Sequence, residues 1–296
     1  MKSNVFRIIL LMLLTMALSL SRGYDAERCD TRSVSEGSDT SVLLLANSHE
    51  PERPSASGQN ASIIKIDTAI IVSPGLNTEN GKLSYTDENG RTADALGLDV
   101  SFYNNNIDWT AVKESGIDFV IIRLGGRGWG SGLRYHDTKT QQYLRGARDA
   151  GLQIGAYYYS TARNQKEARE EASDALAILD GFRLDLPVYI DMEYSGEYPE
   201  GRADLISPVQ RSEIADAFIS QIENAGYQGG VYSAQSIYKY DFDFPAVSCF
   251  PIWLASYTNN NQLPDFSGKY DIWQFTDTGK IGGIDGPVDL NVSYTN

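Results

Sequence analysis

The chain has 296 residues, of which 42% are hydrophobic and 11% aromatic, a composition that suits a globular protein with a sizeable core. Its formal net charge of −14 argues against nucleic acid as a partner, because phosphate binding needs clustered lysines and arginines. The two histidines, His49 and His136, are too few for a histidine-rich metal site or a Ser-His-Asp triad. We therefore expect neither a metal nor another cofactor.

Residues 1–22 predict an export signal. Lys2 and Arg7 bracket a short basic region, and residues 8–20 are almost entirely apolar. This apolar core is short for a membrane span and fits a secretory signal, with an uncleaved signal anchor as the alternative. Either form predicts an exported protein that is extracellular, periplasmic or associated with the cell envelope. The signal anchor would also tether the protein to the membrane.

Residues 23–93 predict a low-complexity linker followed by an N-terminal extension. The segments 63–66 and 69–72 are typical of strands, and the sequence leaves open whether they pack on the domain that follows. Cys29 in the linker and Cys249 in the domain are the two cysteines, and their pairing is also left open. Two cysteines do not make a disulfide scaffold, so stability must come from a hydrophobic core.

Residues 94–296 form the main domain, in which predicted strands alternate with predicted helices. The strands are predicted at 97–101, 119–124, 154–160, 186–193, 230–233, 251–255, 270–275 and 288–291. The helices are predicted at 108–114, 138–150, 165–179 and 207–224. Repeated strand-helix units of this kind imply a parallel sheet with right-handed crossovers.

The number of strands favours an α/β fold, an incomplete TIM-like (β/α) barrel. We expect about eight mostly parallel strands, with helices that are reduced in the later half. A doubly wound sheet is the alternative, but the glycines between 125 and 132 lack the spacing of a dinucleotide site. They also lack the Lys-Ser/Thr ending of a phosphate loop. We interpret this segment as a flexible loop that exposes Trp129.

Polar and aromatic residues follow the C-terminal ends of the predicted strands, where barrels place their active sites. Asp191 and Glu193 end the fourth strand and, being two residues apart, project from the same face. Burying two adjacent acids is costly unless a reaction uses them or a partner neutralises them. The other residues at strand ends are Asp99, Tyr157, Tyr159, Trp253, Tyr257, Trp273, Gln274 and Asp289. Carboxylates beside aromatic rings suit sugar hydrolysis, because rings stack on sugars and an acid protonates the leaving oxygen.

The span from Gly97 to Asn291 resembles glycoside hydrolase family 25, the Chalaropsis-type lysozymes. Its motifs occur in order as GLDVS at 97–101, IDW at 107–109, FVIIR at 119–123, PVYIDME at 187–193, IWLASY at 252–257, WQ at 273–274 and GIDGPVDLN at 283–291. The resemblance implies an incomplete (β/α) barrel. It also implies cleavage of the β-1,4 bond between N-acetylmuramic acid and N-acetylglucosamine in peptidoglycan.

The resemblance also implies roles for the acids. Glu193 would be the general acid and Asp191 its partner, with Asp99 and Asp289 as the other acids of the groove. Asp191 would act either as a nucleophile or as the group that orients the acetamide of the substrate. We expect Glu193, Asp191 and Asp99 to be catalytic. Asp289 and the aromatic residues Tyr157, Tyr159, Trp253, Tyr257 and Trp273 are expected to bind the glycan strand, in a protein that acts as a monomer.

Two departures from the family pattern are expected to alter sugar contacts. The run at 104–106 is Asn-Asn-Asn where the family commonly has Gln, and Tyr158 stands where His or Phe is common. The acidity is also unusual for an enzyme that approaches an anionic wall.

Two rival hypotheses are a glycan-binding barrel without catalysis and a glycosidase that acts on another aminosugar polymer, such as chitin. The presence of all four acids disfavours the first. Pro187 and Tyr189 disfavour the second, because they stand where the family 18 chitinases carry aspartates.

Overall fold

The computed structural model describes residues 64–66, 69–71, 75–79, 82–196, 198–258 and 262–294. The predicted export signal, most of the linker and Cys29 lie outside these described residues. Within the described ranges, no helix is long and apolar enough to span a bilayer.

Strands and helices alternate through the main domain, as the sequence pattern predicts. The strands are β1 Ile64–Ile66, β2 Ala69–Ile71, β3 Leu76–Glu79, β4 Lys82–Tyr85, β5 Ala95–Val100, β6 Phe119–Arg127, β7 Arg134–His136, β8 Gln153–Tyr159, β9 Val188–Asp191, β10 Gly229–Ala234, β11 Ile252–Ala255, β12 Ile272–Gly279 and β13 Val288–Ser293. The helices are α1 Trp109–Glu114, α2 Thr140–Asp149, α3 Gln165–Leu179, α4 Pro208–Asn224, α5 Gln235–Tyr240 and α6 Phe244–Val247, and Phe102–Asn104 forms a 3₁₀ turn.

Eight of these strands close into a barrel in the order β5, β6, β8, β9, β10, β11, β12 and β13, with β13 paired back on β5. Strands β5 to β12 of this barrel run parallel, whereas β13 is antiparallel to both of its neighbours. Long helices precede β8, β9 and β10, only the short α5 and α6 precede β11, and the described residues after β11 contain no helix. The prediction of an incomplete, mostly parallel barrel with reduced later helices is confirmed.

The barrel strands alternate between an interior and an outer face. The interior cluster includes Phe119, Ile121, Tyr189 and Trp253, and all of these are buried. Gly97 shares this interior, because a Cβ at that position would clash with the Phe119 ring. The outer face carries aliphatic residues that pack under the helices, and burying each such side chain contributes about 1.5–3 kcal/mol. The mouth lies at the C-terminal ends of the parallel strands, and Asp289 reaches it from the N-terminal end of the antiparallel β13.

Helix caps fix where the loops at the barrel mouth end. The Asp108 carboxylate accepts hydrogen bonds from the backbone N–H groups of Thr110 and Ala111, each at 3.1 Å, and so starts α1 as predicted. Ser207 caps α4 by accepting from the Gln210 N–H at 3.2 Å. These polar caps start both helices at, or one residue after, the predicted positions.

The glycine-rich segment differs from the predicted loop. Strand β6 continues to Arg127 and pairs antiparallel with β7, which places Gly126 opposite Tyr135. A Cβ at Gly126 would lie 2.6 Å from the Tyr135 hydroxyl, so the glycine permits a close hairpin. Trp129, at the tip of this hairpin, is 45% exposed, as expected. The prediction of a loop was wrong for Gly125 to Arg127 because glycine here serves close packing instead of a turn.

The hairpin of β3 and β4 in the N-terminal extension packs on the barrel. The ring of Tyr85 in β4 is buried, with its centroid 5.6 Å from that of Trp273 and 4.4 Å from that of Phe275. The Leu83 N–H donates to the Ser115 carbonyl at 3.0 Å, which ties β4 to the end of α1. The hairpin of β3 and β4 therefore covers the outer face of β12, a strand that has no adjoining helix among the described residues.

Candidate active site

Four carboxyl groups converge at the C-terminal mouth of the barrel. Asp191 is the last residue of β9, and Glu193 follows two residues later. Asp289 of β13 pairs in register with Asp99 of β5, so these two acids are direct neighbours across the strands. Asp99 and Asp191 are each 5% exposed, and Glu193 is half-buried. The structure thus brings together the four acids that the sequence placed at strand ends.

Asp99 is held by two side-chain amides. Its Oδ2 atom accepts hydrogen bonds from Gln274 Nε2 and from Asn291 Nδ2, each at 2.8 Å. Burial raises the pKa of Asp99 to about 6, and these amide bonds oppose the rise because they favour the charged form. Asp99 is therefore mostly ionised at neutral pH despite its burial.

Hydrogen-bond donors on three aromatic side chains orient the amides of Gln274 and Asn291. Gln274 Oε1 accepts from the hydroxyls of Tyr232 and Tyr257, each at 2.8 Å. Asn291 Oδ1 accepts from Trp253 Nε1 at 2.7 Å. Because each amide oxygen is occupied by a donor, each amide nitrogen must face Asp99. The network fixes the carboxylate of Asp99 before any substrate binds.

Asp289 retains a proton at neutral pH. Burial, followed by the charges of Asp99 and Asp277, raises the pKa of Asp289 to about 9. A hydrogen bond joins it to Asp99, lowering the pKa of Asp99 and raising that of Asp289. Asp289 is therefore the donor in this bond and Asp99 is the acceptor.

Asp191 and Glu193 form the second acidic pair. Burial raises the pKa of Asp191 well above its ordinary value, and the charges of Glu193 and Asp99 raise it further, against the opposing charge of Arg123. Burial also raises the pKa of Glu193, which the Tyr232 hydroxyl opposes. The two neighbouring carboxyls oppose each other's ionisation, so the pair holds a proton more tightly than either acid would in water. A carboxyl with a raised pKa is suited to donate a proton to a leaving group.

Three of the predicted aromatic residues reach the mouth. Tyr257 is 54% exposed, and Tyr157 and Tyr159 are half-buried, with the Tyr159 hydroxyl 2.6 Å from that of Ser195. Trp253 lies beneath them and is only 1% exposed, with its ring centroid 5.9 Å from that of Tyr157. Trp253 therefore supports the floor of the site and orients Asn291, and it does not stack on a sugar as expected.

Trp273 and Tyr158 are placed outside the site. Trp273 is fully buried in the outer layer, where its Nε1 donates to the Ser256 carbonyl at 2.8 Å. Successive residues of a strand face opposite sides, so Gln274 points inward and Trp273 outward. Tyr158 is fully buried on the outer face, with its ring centroid 6.5 Å from that of Phe218. Contrary to expectation, neither residue is placed where it could contact a sugar in the mouth.

The run at 104–106 lies just above β5. The side-chain oxygen of Asn104 accepts from the Ser101 N–H at 2.9 Å and closes the 3₁₀ turn. Asn106 accepts from Lys139 Nζ at 3.0 Å. These contacts shape the loop after the first barrel strand.

Sequence reasoning gave no role to three residues of the site, namely Arg123, Tyr232 and Asn291, and it placed Gln274 at a strand end without a specific role. Period-two alternation would have found Asn291, because it follows Asp289 by two residues. Tyr232 and Arg123 lie on strands whose apolar runs predict only burial.

Other concave or acidic regions do not share this chemistry. A cavity of about 670 Å³ lies at the opposite end of the barrel, between the loops that precede β9 and β10. Its lining includes Asp185, which forms an ion pair with Arg148 at 3.0 Å. Among the described residues, no group of three or more His, Cys, Asp or Glu side chains is arranged to hold a metal ion.

The chain is similar to several known proteins. A family model described as glycosyl hydrolases family 25 matches residues 98–284. The autolytic lysozyme of Clostridium acetobutylicum is 31% identical over 66% of this chain and 54% of its own length. Lysozyme M1 of Streptomyces globisporus is 26% identical over 68% of each chain. The chain thus spans about half the length of the clostridial relative.

A solved structure shows the same fold. The modular autolysin LytC from Streptococcus pneumoniae superposes with a TM-score of 0.63 and 24% identity, covering 78% of this chain and 58% of that one.

Proposed function

The chain belongs to glycosyl hydrolase family 25, and from that premise we propose that it cleaves the β-1,4 bond between N-acetylmuramic acid and N-acetylglucosamine in peptidoglycan. The observation that carries the proposal is the group of four acids at the mouth, in which Asp191 and Glu193 have raised pKa values, beside the exposed ring of Tyr257. Two relatives named lysozymes, and a structure of LytC in complex with a synthetic peptidoglycan ligand, support the choice of substrate.

Glu193 is the proposed general acid. It is half-buried at the open side of the acidic pair, where a leaving oxygen can approach it. Proton transfer from Glu193 to that oxygen breaks the C1–O bond, and the bonding electrons leave with the oxygen. The ionised Asp99, fixed by its two amides, lies near the positive charge that develops on the sugar.

Asp191 completes the reaction at C1. It either attacks this carbon or orients the substrate acetamide, whose oxygen then attacks. Water releases the product in both cases, with the deprotonated Glu193 as its base. A substrate with a thioacetyl group separates the two routes, because its weakened acetamide nucleophile slows only the second.

Product analysis tests the proposed function. Purified peptidoglycan is digested, the new reducing ends are reduced, and the resulting sugar alcohols are identified. N-acetylmuramic acid at the new end is expected, whereas N-acetylglucosamine there would contradict the proposal. Absence of any new end would instead favour the glycan-binding barrel. Chitin digested in parallel tests the rival substrate.

Replacing Glu193 by Gln removes the proton donor with little change in shape. We expect the turnover rate to fall by about 10²-fold or more, since general acids contribute on that scale. Glu114→Gln, at an exposed position on α1, serves as the matched control and should keep full activity. Near-normal turnover by Glu193→Gln would show that another group donates the proton.

We also propose that the protein acts outside the cytoplasm. Its proposed substrate is there, and residues 1–22 have the pattern of an export signal. N-terminal sequencing of the protein recovered from the envelope and the medium would distinguish a cleaved signal from an anchor. Recovery from the cytoplasm alone would contradict the proposal.

A further inference from the structure

Arg123 presents a buried donor that no group of the described residues uses. It follows the interior residue Ile121 by two positions on β6 and is 8% exposed. Its Nε atom pairs with Asp137 Oδ2 at 2.8 Å, and its buried Nη2 atom has no hydrogen-bond partner in the described part of the chain. Leaving a charged donor unpaired in a buried place is unfavourable, so the position indicates a missing acceptor.

The guanidinium is held rigidly in this position. Asp137 also accepts hydrogen bonds from the backbone N–H groups of Phe102 and Lys139, each at 2.9 Å. The ring centroids of Phe102 and Tyr103 lie 4.9 and 5.3 Å, respectively, from the guanidinium carbon of Arg123. The carboxylate and the rings fix the plane of Arg123, so that Nη2 is preorganised.

Asp191 presents a second buried atom, Oδ1, that has no hydrogen-bond partner among the residues that the structure describes. Strand β8 separates β9 from β6, and its half-buried Tyr157 lies in register with Arg123. The charge of Arg123 acts on Asp191, yet among the described residues Arg123 forms its ion pair with Asp137 and not with Asp191. A donor and an acceptor therefore face the same interior without satisfying each other.

The carboxyl groups around Arg123 and Asp191 indicate the chemistry of the missing group. Asp99, Asp137, Asp191 and Glu193 make the mouth strongly acidic, so an anionic group would be repelled. A neutral group with one acceptor and one donor fits both unpartnered atoms, and a secondary amide has this pattern. The sugars of the proposed substrate each carry such an amide at C2.

We propose that Arg123 determines specificity for N-acetylated sugar, with Nη2 donating to the acetyl carbonyl and Asp191 Oδ1 accepting from the amide N–H. This inference rests on the proposed function and deepens it. It assigns Asp191 the acetamide-orienting role. It also explains why an arginine occupies the interior of an acidic mouth.

The test compares two enzymes on two walls. Wild type and Arg123→Met are assayed on peptidoglycan that is fully N-acetylated and on the same peptidoglycan after chemical N-deacetylation, with a re-acetylated sample as the substrate control. On the acetylated wall, kcat/KM should fall by about 10- to 100-fold in Arg123→Met, as for the loss of a charged hydrogen bond. Because the attacking acetamide is absent from the deacetylated wall, both enzymes should cleave it slowly, so the binding of each enzyme to each wall is measured as well. Arg123→Met should bind the acetylated wall more weakly than wild type does and the deacetylated wall equally well. Arg148→Lys, which alters an ion pair at the opposite end of the barrel, should behave as wild type on both walls.

Each outcome decides the inference. A loss of binding that depends on the acetyl group supports it, and an equal loss of binding on both walls overturns it by showing a structural role for Arg123. If Arg123→Met does not fold, Arg123→Lys keeps the cation for Asp137, lacks the planar second nitrogen and should give the same acetyl-dependent loss. Wild type that cleaves neither the acetylated nor the re-acetylated wall overturns the proposed function together with this inference.

Discussion

At the scale of single residues, the site separates its acids by environment. Asp99 accepts two amide hydrogen bonds and stays mostly ionised, whereas Asp289 beside it has no amide donor in the network and keeps its proton. The raised pKa of Asp289 has a thermodynamic cost. An acid that stays protonated in the folded protein lowers the free energy of unfolding at every pH at which it would ionise in the unfolded chain.

Asp289→Asn should stabilise the protein at neutral pH. The pKa of Asp289 rises from 3.8 to about 9, so the destabilisation is absent near pH 4, grows with pH and levels off above about 9. Asparagine keeps an N–H donor for Asp99 and does not titrate. Urea unfolding at pH 4, 7 and 8.5 should show an advantage for the variant that grows with pH, and the exposed Asp285→Asn should show none.

Activity gives a second measurement on Asp289→Asn. Because we assign Asp289 to support of Asp99 and not to proton transfer at the glycosidic bond, the loss in turnover should be smaller than that of Glu193→Gln. A loss as large as that of Glu193→Gln would show that the proton of Asp289 takes part in the reaction.

At the scale of elements, the hairpin of β3 and β4 takes the place of a missing helix. Barrel strands with an adjoining helix bury their outer face under it, but β12 has none among the described residues. Tyr85 covers Trp273 and Phe275 there, and all three are at most 4% exposed. The hairpin therefore completes the core on the side where the helices are reduced.

Tyr85→Ala should destabilise the domain. Removing a fully buried aromatic side chain typically costs about 3–5 kcal/mol, and this one would leave a cavity over Trp273. Chemical denaturation measures the loss, with Tyr240→Ala as the control because Tyr240 is 75% exposed. An effect below about 0.5 kcal/mol, the range of ordinary surface changes, would show that the hairpin is dispensable.

At the scale of the whole molecule, the net charge of −14 opposes approach to an anionic wall. Many of the acids lie on the outside, so the repulsion acts over distances that salt can screen. If the wall is the substrate, as proposed, recognition is expected to depend on short-range contacts in the mouth, where the exposed ring of Tyr257 lies.

Added salt should therefore speed cleavage of an anionic wall. Between about 10 and 150 mM salt the Debye length falls from about 30 to about 8 Å, which removes most of the repulsion between separated surfaces. We expect kcat/KM on the intact wall to rise over this range and to stay constant on a short uncharged glycan. A fall on the wall would indicate electrostatic attraction through a basic patch.

The sequence by itself determined the order of strands and helices, the closed barrel and the acids at its mouth. Hydrophobic periodicity and caps such as Asp108 involve only a few neighbouring residues, so the sequence alone predicts the elements that they define. Asp191 and Glu193 were found because two acids end one apolar strand. The glycine-rich segment was misassigned because the close approach of Tyr135 comes from a partner strand.

Only the tertiary structure decided which side chains share the site. Asp99 lies far along the chain from Gln274 and Asn291, and their hydrogen bonds exist because β13 pairs with both β5 and β12. In the closed barrel, Trp273 faces outward and packs against Tyr85. Arg123 Nη2 lies in the interior without a hydrogen-bond partner among the described residues. Local pattern sets which residues are buried, whereas the pairing of distant strands sets which buried residues meet.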